Sequence, residues 1–342
     1  MRVKALLPAG LAFFLAASAA RAQDMGAPVR FSAPPPAAPG VLYDSGPSDP
    51  LASAWDTVLV QGVLPDASVR FVVARLGGEP RWIPFQIARL PDGRFWGTAK
   101  FPRGTGGLRL RALAEGPRIG REISLYSVEV FSEGDAVMES ATAAPPVSRG
   151  PLDPSAPAPL VHARAEWNAA LPTEPHTPDP LPWRLTLHHT DGRYTDSLEK
   201  SLAETRFIQN FHQKGRGWID IGYHYLIDPL GNIIEGRPLE TFGAHTGENN
   251  QGNVGIVLLG SYHEPKNNVV TPVQFAALVA LSRFLVKRFG IDPLAVKGHR
   301  DYNKTTTVCP GDLAYPLLDD LRRAVKDPPA VAAPVDAPAW NG

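Results

Sequence analysis

A single cysteine, Cys309, is the feature that most limits how this chain of 342 residues can fold. One thiol cannot form a disulfide within the chain, so Cys309 must be an inert core residue, a chemical liability, or a thiolate bound to something other than sulfur. Hydrophobic residues make up 44% of the sequence, which is ample for a core. The length favours two domains rather than one.

The N-terminus has the pattern of a secretory signal. Residues 1–4 carry positive charge, residues 5–20 are apolar, and Ala20-Arg21-Ala22 offers a small-x-small cleavage site. We therefore expect residues 1–22 to be a cleaved signal peptide and the mature protein to be secreted or periplasmic. No apolar run is long enough for a membrane span. The 34 basic and 34 acidic side chains balance, which predicts no nucleic-acid partner.

Three stretches rich in proline and alanine divide the chain, at residues 23–40, 141–161 and 327–342. Such a composition buries too little apolar surface to offset its ordering entropy, so we expect two linkers and a tail that are flexible or extended. They leave a smaller domain at 41–140 and a larger one at 162–326.

The smaller domain contains short β-like runs that are split by Gly, Pro and Asp, which predicts an all-β sandwich. Trp55, Trp82 and Trp96 could form a face on which carbohydrate stacks. Tryptophan is usually highly buried, so core positions are the favoured interpretation.

The larger domain alternates strands and helices, which predicts an α/β fold with a mixed central sheet flanked by helices. The helix that begins near Thr271 is the best marked: Thr271 is a predicted N-cap, Pro272 suits the first helical position, Gln274 would complete a capping box, and Gly290 ends the helix. The other predicted elements are a strand at 185–189, a helix at 197–213, a hairpin of strands at 223–227 and 232–235, a buried central strand at 254–259 and a last helix at 315–325.

His188, His299 and Cys309 form a set of donors suited to zinc. Catalytic zinc takes three protein ligands, with His and Cys preferred, and keeps a fourth position for water. His188 lies far from the other two along the chain, so the fold itself must assemble the site, as in a preformed catalytic centre. Alternation along the strand puts His188 and His189 on opposite faces, so only one of them can face the metal.

Six short motifs occur in the right order for a known family. They are Leu187-His188-His189-Thr190, Gly222-Tyr223-His224-Tyr225, Glu235-Gly236-Arg237, Gly243-Ala244-His245, Asn253-Val254-Gly255-Ile256 and Gly298-His299-Arg300-Asp301 with Cys309-Pro310-Gly311. Together they resemble the zinc-dependent N-acetylmuramoyl-L-alanine amidases related to peptidoglycan recognition proteins. The resemblance covers about residues 162–326.

The resemblance implies a role for each matching residue. The first histidine of the pair, His188, would bind Zn²⁺ together with His299 and Cys309, and Tyr223 would lie beside the metal-bound water. Thr307 stands two residues before the cysteine, where the family has Lys or Thr. The loop between His299 and Cys309 is longer than usual in the family, so counting forward from His299 selects an earlier residue for that role.

The implied function is hydrolysis of the amide bond between N-acetylmuramic acid and L-alanine in peptidoglycan or muropeptides, by a monomeric enzyme. Pro238-Leu239 stands where recognition proteins sort diaminopimelate-type from lysine-type stems, and it matches neither familiar pair.

Two alternatives stay open at the level of sequence. The protein could be a non-catalytic peptidoglycan-binding protein, although Cys309 and Tyr223 are retained. Cys309 and His299 could instead form a thiol hydrolase pair, which would leave His188 and Tyr223 without a role. His189, His224 and His245 are expected to serve in packing or hydrogen bonding.

Overall fold

The computed structural model describes residues 21–22, 27–28, 40–51, 53–64, 68–90, 93–114, 124–132, 137–138, 150–302 and 307–326. Apart from Arg21 and Ala22, the expected signal peptide lies outside the described residues, as does the expected tail at 327–342. Within the described ranges, no helix is both long and apolar enough to cross a membrane.

The N-terminal part of the chain forms antiparallel sheets. Its strands are β1 (Arg21–Ala22), β2 (Ala27–Pro28), β3 (Val41–Pro47), β4 (Trp55–Val63), β5 (Val69–Arg75), β6 (Ile83–Pro84), β7 (Gln86–Arg89), β8 (Arg94–Gly104), β9 (Leu108–Ala114), β10 (Ser124–Phe131) and β11 (Val137–Met138). One sheet has the order β2-β10-β4-β8-β7 and a second the order β3-β9-β5-β6, while β1 pairs only with β11.

These two larger sheets share one hydrophobic core, which confirms the predicted sandwich. Val58 and Val60 of β4 pack in the same cluster as Phe71 of β5 and Leu110 of β9. Phe71 also stacks on Phe95 of β8, with ring centroids 5.2 Å apart. The sandwich is therefore closed by side chains that alternate toward its interior.

The three tryptophans do not form one stacking face. Trp55 is buried in the sandwich core, whereas Trp96 belongs to a different cluster, which includes residues of the C-terminal part of the chain. The guanidinium carbon of Arg111 lies over the Trp82 ring, 4.2 Å from the ring centroid. The core interpretation is confirmed for Trp55 and Trp96.

The C-terminal part forms the predicted mixed sheet with helices. Its strands are β12 (Arg184–His189), β13 (Tyr225–Ile227), β14 (Ile233–Glu235), β15 (Asn253–Leu258) and β16 (Val296–Gly298), and its helices are α1 (Leu198–Asn210), α2 (Pro272–Phe289) and α3 (Leu317–Lys326). The strand order is β14-β13-β15-β12-β16, in which only β14 runs antiparallel to its neighbour. Helix α1 continues into a π-helical turn, Phe211–Gly215.

Strand β15 is the predicted central strand, and helices cover both of its faces. Ile256 and Leu258 pack in one cluster with Leu281 of α2, while Val257 packs in another with Phe207 of α1. A strand that is buried on both faces has no polar side, which explains its nearly continuous apolar sequence.

Helix α2 begins and ends as predicted, but the capping box is wrong. Thr271 Oγ1 accepts a hydrogen bond from Gln274 N, and Gly290 ends the helix at φ 60°. The Gln274 side chain does not return to the cap. It is buried, and its amide donates to Ile227 O at 3.0 Å and accepts from the Tyr262 hydroxyl at 2.9 Å. The side-chain amide of Gln274 thus satisfies the buried carbonyl of Ile227 at the end of β13 and is not available to cap its own helix.

The described part of the expected second linker, residues 150–161, lies against the α/β unit. It contains no helix or regular strand, yet Gly150 N donates to Gly290 O at 2.9 Å and Val161 packs on the core beneath α2. The chain therefore enters the α/β unit along the end of α2.

The sandwich packs directly on α1 of the α/β unit. Leu59 and Trp96 share a cluster with Phe207. Beside them, Arg94 donates to both carboxylate oxygens of Glu204, at 2.9 and 2.7 Å, and neither side chain is exposed. This bidentate pair joins the two units through two fully buried charged side chains.

We expect Arg94→Met to lower the free energy of unfolding by about 3–5 kcal/mol, because it leaves the Glu204 carboxylate buried without its partner. Urea denaturation followed by tryptophan fluorescence measures the change. Arg94→Met combined with Glu204→Met should recover much of the loss, since no buried charge remains. Lys200→Ala, in the exposed pair with Asp196, is the control and should leave the midpoint unchanged. An Arg94→Met variant as stable as the wild type would contradict the assignment.

Candidate metal centre and active site

His188 and His299 meet because their strands are neighbours in the sheet. His188 lies near the carboxyl end of β12, and His299 directly follows Gly298, the last residue of β16. The two strands run parallel, with Leu187 paired to Gly298. Carboxyl ends of adjacent parallel strands lie at one edge of a sheet, which is where α/β proteins place their sites. The two imidazole centroids are 4.7 Å apart.

Cys309 reaches the same edge on a loop that folds back over it. Arg300 N donates to Cys309 O at 2.9 Å, and Leu313 N donates to Tyr262 O at 2.9 Å. Cys309 Sγ then lies 3.5 Å from His188 Nδ1. Within the described ranges, His188, His299 and Cys309 form the one group of at least three His, Cys, Asp or Glu residues that could hold a metal ion, and their ligand atoms all lie within 4.8 Å of one another.

The structure places His188 rather than His189 in this cluster. The ring of His189 turns to the other side of the strand, where its Nδ1 accepts a hydrogen bond from Tyr262 N at 3.4 Å. Only the backbone of His189 reaches the cluster, where its N–H donates to Cys309 Sγ at 3.4 Å. Strand alternation predicts that the two rings diverge, and the contacts show which one joins the cluster.

A buried hydrogen-bond chain orients the His188 ring. His245 Nε2 lies 3.0 Å from Asn253 O, and His245 Nδ1 lies 3.0 Å from His188 Nε2. The carbonyl only accepts, so His245 Nε2 carries the proton and a neutral His245 accepts at Nδ1. His188 Nε2 then donates, and its Nδ1 presents a lone pair to the cluster. Histidine metal ligands are commonly held in this way by a partner on the other ring nitrogen.

Two glycines of the sequence motifs make room for His245. A Cβ at Gly243 would lie 2.5 Å from the His245 ring, and one at Gly255 would lie 2.7 Å from it. Any larger residue would displace the ring from its place between the strands. The His224 ring is also hydrogen bonded, accepting from Gly255 N at 3.0 Å and lying 2.9 Å from Thr241 O, which confirms the expected role for both histidines.

Burial sets the protonation of the cluster. It lowers the pKa of His188 well below its ordinary value and that of His299 to about 4, so both rings are neutral and can donate a lone pair. Burial also raises the pKa of the Cys309 thiol to about 12. A thiol nucleophile needs a lowered pKa, so this environment opposes a thiol hydrolase.

The donor set fits a zinc ion. His299 Nε2 is buried and has no hydrogen-bond partner among the described residues, which is costly unless something else satisfies it. Two ligands of one tetrahedral zinc lie about 3.3–3.8 Å apart, given bonds of about 2.0–2.3 Å. The 3.5 Å between His188 Nδ1 and Cys309 Sγ lies in that range. Three protein donors leave one position open.

Tyr223 and Thr307 line the same cavity as His299 and Cys309 of the cluster. The Tyr223 ring centroid is 5.2 Å from that of His188, and burial raises the pKa of its phenol, which keeps the O–H protonated. Thr307 Oγ1 accepts from Cys309 N at 3.1 Å, so its own proton is available to donate. The part of the enlarged loop at residues 303–306 lies outside the described residues.

The cavity has residues on one side that sequence reasoning missed. Its volume is about 170 Å³, and Gln61, Ser127 and Glu129 of the sandwich line it together with His299 and Cys309. One signal in the sequence could have pointed to them. Residues 58–61 read Val-Leu-Val-Gln, without the polar alternation of a strand that has one wet face.

Comparison with known proteins gives consistent results. Residues 178–312, all within the α/β unit, match the family model described as Amidase_2, N-acetylmuramoyl-L-alanine amidase. Peptidoglycan-recognition protein SC2 of Drosophila simulans is 32% identical over 150 residues, covering 44% of this chain and 79% of that protein. An N-acetylmuramoyl-L-alanine amidase of Sus scrofa is 32% identical over 170 residues, covering 47% of this chain and 27% of that protein.

Among solved structures, the crystal structure of Drosophila peptidoglycan recognition protein SD aligns with a TM-score of 0.43 and 32% identity, covering 48% of this chain and 94% of that one. The match to the Drosophila simulans protein extends over most of that relative, and it confirms the resemblance of the sequence motifs. The chain therefore belongs to the family of peptidoglycan recognition proteins and type 2 N-acetylmuramoyl-L-alanine amidases.

Proposed function

We propose that this protein is a zinc-dependent amidase that hydrolyses the bond between N-acetylmuramic acid and L-alanine in peptidoglycan. One observation carries the proposal: the buried donors of His188, His299 and Cys309 lie within 4.8 Å of one another, and His299 and Cys309 line a cavity together with Tyr223. This combination offers both a metal site and a hydrogen-bond donor for the reacting group.

His188, His299 and Cys309 would hold the zinc ion, which when bound supplies a water of lowered pKa and polarises the scissile carbonyl. His245 keeps His188 Nδ1 directed at the cluster through the hydrogen bond to His188 Nε2. The His189 N–H donates to Cys309 Sγ and so stabilises the negative charge of a thiolate there.

Tyr223 and Thr307 would act on the substrate carbonyl. The raised pKa of Tyr223 leaves its phenol as a donor at neutral pH, suited to the negative charge that develops on the carbonyl oxygen during hydrolysis. The Thr307 hydroxyl can add a second donor, since Cys309 N occupies only its acceptor side. Tyr223 is buried, and the low dielectric of its surroundings strengthens such a hydrogen bond, whereas Thr307 is partly exposed.

We further propose that the mature protein begins after Ala22, acts in the periplasm or outside the cell, and works as a monomer. In this proposal residues 162–326 form the amidase domain and 41–140 an accessory domain.

Zinc removal should abolish amidase activity reversibly. Purified protein should contain about one zinc per chain and release free L-alanine amino termini from purified peptidoglycan. A chelator should stop the release, and zinc should restore it, because three protein donors alone activate no water. Full activity in zinc-free protein would contradict the proposal. New reducing sugars would indicate a glycosidase, and binding without any product would indicate a recognition protein.

Tyr223→Phe should lower kcat by about 100- to 1,000-fold with little change in KM, since it removes one donor that acts mainly in the transition state. Zinc content should not change. Tyr225→Phe is the matched control, because Tyr225 is also buried but packs in the cluster on the α2 side of the sheet. Near-normal turnover by the Tyr223→Phe enzyme would contradict the proposed role of Tyr223 as a hydrogen-bond donor to the reacting carbonyl.

His245→Ala should weaken zinc binding by about 10- to 100-fold, because the His188 ring loses the partner that fixes its orientation. Competition with a chelating dye measures the affinity. His224→Gln perturbs a neighbouring buried histidine that does not contact the cluster, and it should leave zinc affinity close to wild type. Equal zinc affinities for the wild type and the His245→Ala variant would show that the hydrogen bond does not orient the ligand.

A further inference from the structure

One wall of the cavity belongs to the β-sandwich. Gln61 of β4, with Ser127 and Glu129 of β10, lines the same space as Tyr223 and Cys309. The sandwich thus contributes side chains to the cavity in which the proposed chemistry takes place, although it is a separate unit of the chain.

The register of the sheet explains why these three side chains face the cavity together. β4 and β10 pair antiparallel, with Ser127 opposite Gln61 and Glu129 opposite Leu59. Opposite and alternate residues share a face of a sheet. The intervening residues, Val58, Val60, Val128 and Val130, point the other way into the sandwich core.

Tight packing holds this wall in place. The Arg94 guanidinium, fixed on Glu204 of α1, also donates to Gln61 Oε1 at 3.0 Å. Trp96 Nε1 donates to Asn210 Oδ1 at 3.0 Å. A Cβ at Gly215 would already lie 3.4 Å from the Leu59 and Trp96 side chains. Around the cavity, the wall therefore packs closely on the α/β unit, which preorganises its side chains for binding.

Gln61 offers the wall a donor, and Glu129 offers it an acceptor. Arg94 occupies the carbonyl oxygen of Gln61, and among the described residues the Gln61 amide nitrogen has no hydrogen-bond partner, so this N–H₂ group is what Gln61 can offer a ligand. The Glu129 carboxylate accepts from Arg216 and keeps further lone pairs. A donor beside an acceptor complements a secondary amide, which presents one C=O and one N–H.

We propose that the β-sandwich is part of the substrate site, and that Gln61 and Glu129 bind a secondary amide of the muropeptide next to the scissile bond. This inference rests on the proposed function, because a muropeptide carries such amides on both sides of that bond. They are the acetamido group of the muramic acid and the peptide bond that follows L-alanine.

Gln61→Glu is the sharpest test, because it keeps an oxygen acceptor for Arg94 and removes the N–H donor. In the full-length, zinc-loaded enzyme, KM for N-acetylmuramoyl-L-alanyl-D-isoglutamine should rise about five- to tenfold, the loss expected for one hydrogen bond, with kcat within about twofold. Gln86→Glu makes the same substitution on β7 of the same sheet, at an exposed position outside the cavity, and should leave KM unchanged.

Ser127→Phe gives a second, steric test. The added ring would fill part of the cavity, so substrate binding should weaken more than tenfold while zinc content and the unfolding transition are retained. Together the two substitutions separate the loss of a hydrogen bond from the loss of space.

Calorimetry in the Tyr223→Phe background measures binding without turnover. We expect Gln61→Glu and Ser127→Phe to raise the Kd for the muropeptide there as well. A lactoyl-L-alanyl-D-isoglutamine probe, which lacks the sugar, identifies the amide. Loss of the Gln61→Glu effect on this probe indicates the acetamido group, and its persistence indicates the peptide bond.

Unchanged KM and Kd in both variants would overturn the inference and leave the amidase proposal standing. A wild-type protein that neither binds nor cleaves the muropeptide would overturn both. Cleavage without any effect of the sandwich variants, and absence of cleavage altogether, are therefore distinguishable results.

Discussion

Parallel pairing of β12 with β16 is the interaction on which the site depends. It sets the carboxyl ends of two strands side by side, so that His188 and His299, distant in sequence, present their rings within 4.7 Å. The Cys309 loop is then anchored to the Tyr262 backbone and brings the thiol to the same edge. Three polar side chains become buried together at a cost that only mutual partners or a bound cation can offset.

The chain of hydrogen bonds behind His188 shows how the rest of the sheet serves that edge. Asn253 begins the central strand, and its carbonyl fixes His245, which in turn fixes His188. Gly243 and Gly255 matter because they leave space for the His245 ring rather than because they bend the chain. Three of the motifs that are separate in the sequence therefore act together to hold the His188 ring in position.

The β-sandwich supplies one wall of the cavity of the α/β unit. Its sheet face packs on α1 through Leu59, Trp96 and the Arg94–Glu204 pair, and the same face continues into the cavity as Gln61 and Glu129. The residues that pack on α1 and the residues that line the cavity thus belong to the same face of one sheet. In the proposed function, this arrangement would confine the substrate between two units of the chain, which would favour selectivity for groups near the scissile bond.

The sequence predicted elements with strong local patterns and failed where the outcome depends on distant contacts. The apolar run of β15, the hairpin of β13 and β14 and the ends of α2 were predictable, because periodicity and turn residues report on burial and backbone conformation. The choice between His188 and His189 was not predictable, since strand alternation puts the two rings on opposite faces without indicating which face carries the cluster. Gln274 satisfies the Ile227 carbonyl instead of its own helix end, and Arg94 is buried only because Glu204 meets it across the interface.

Zinc K-edge X-ray absorption of the loaded protein tests the central claim most directly, because it reads the donors of the metal rather than the consequences of losing it. The account predicts one sulfur scatterer at about 2.3 Å and three nitrogen or oxygen scatterers at about 2.0–2.1 Å, from Cys309, the two histidines and a water. Replacing Cys309 by serine should remove the sulfur shell. A spectrum of the wild-type protein with no sulfur ligand would contradict the account.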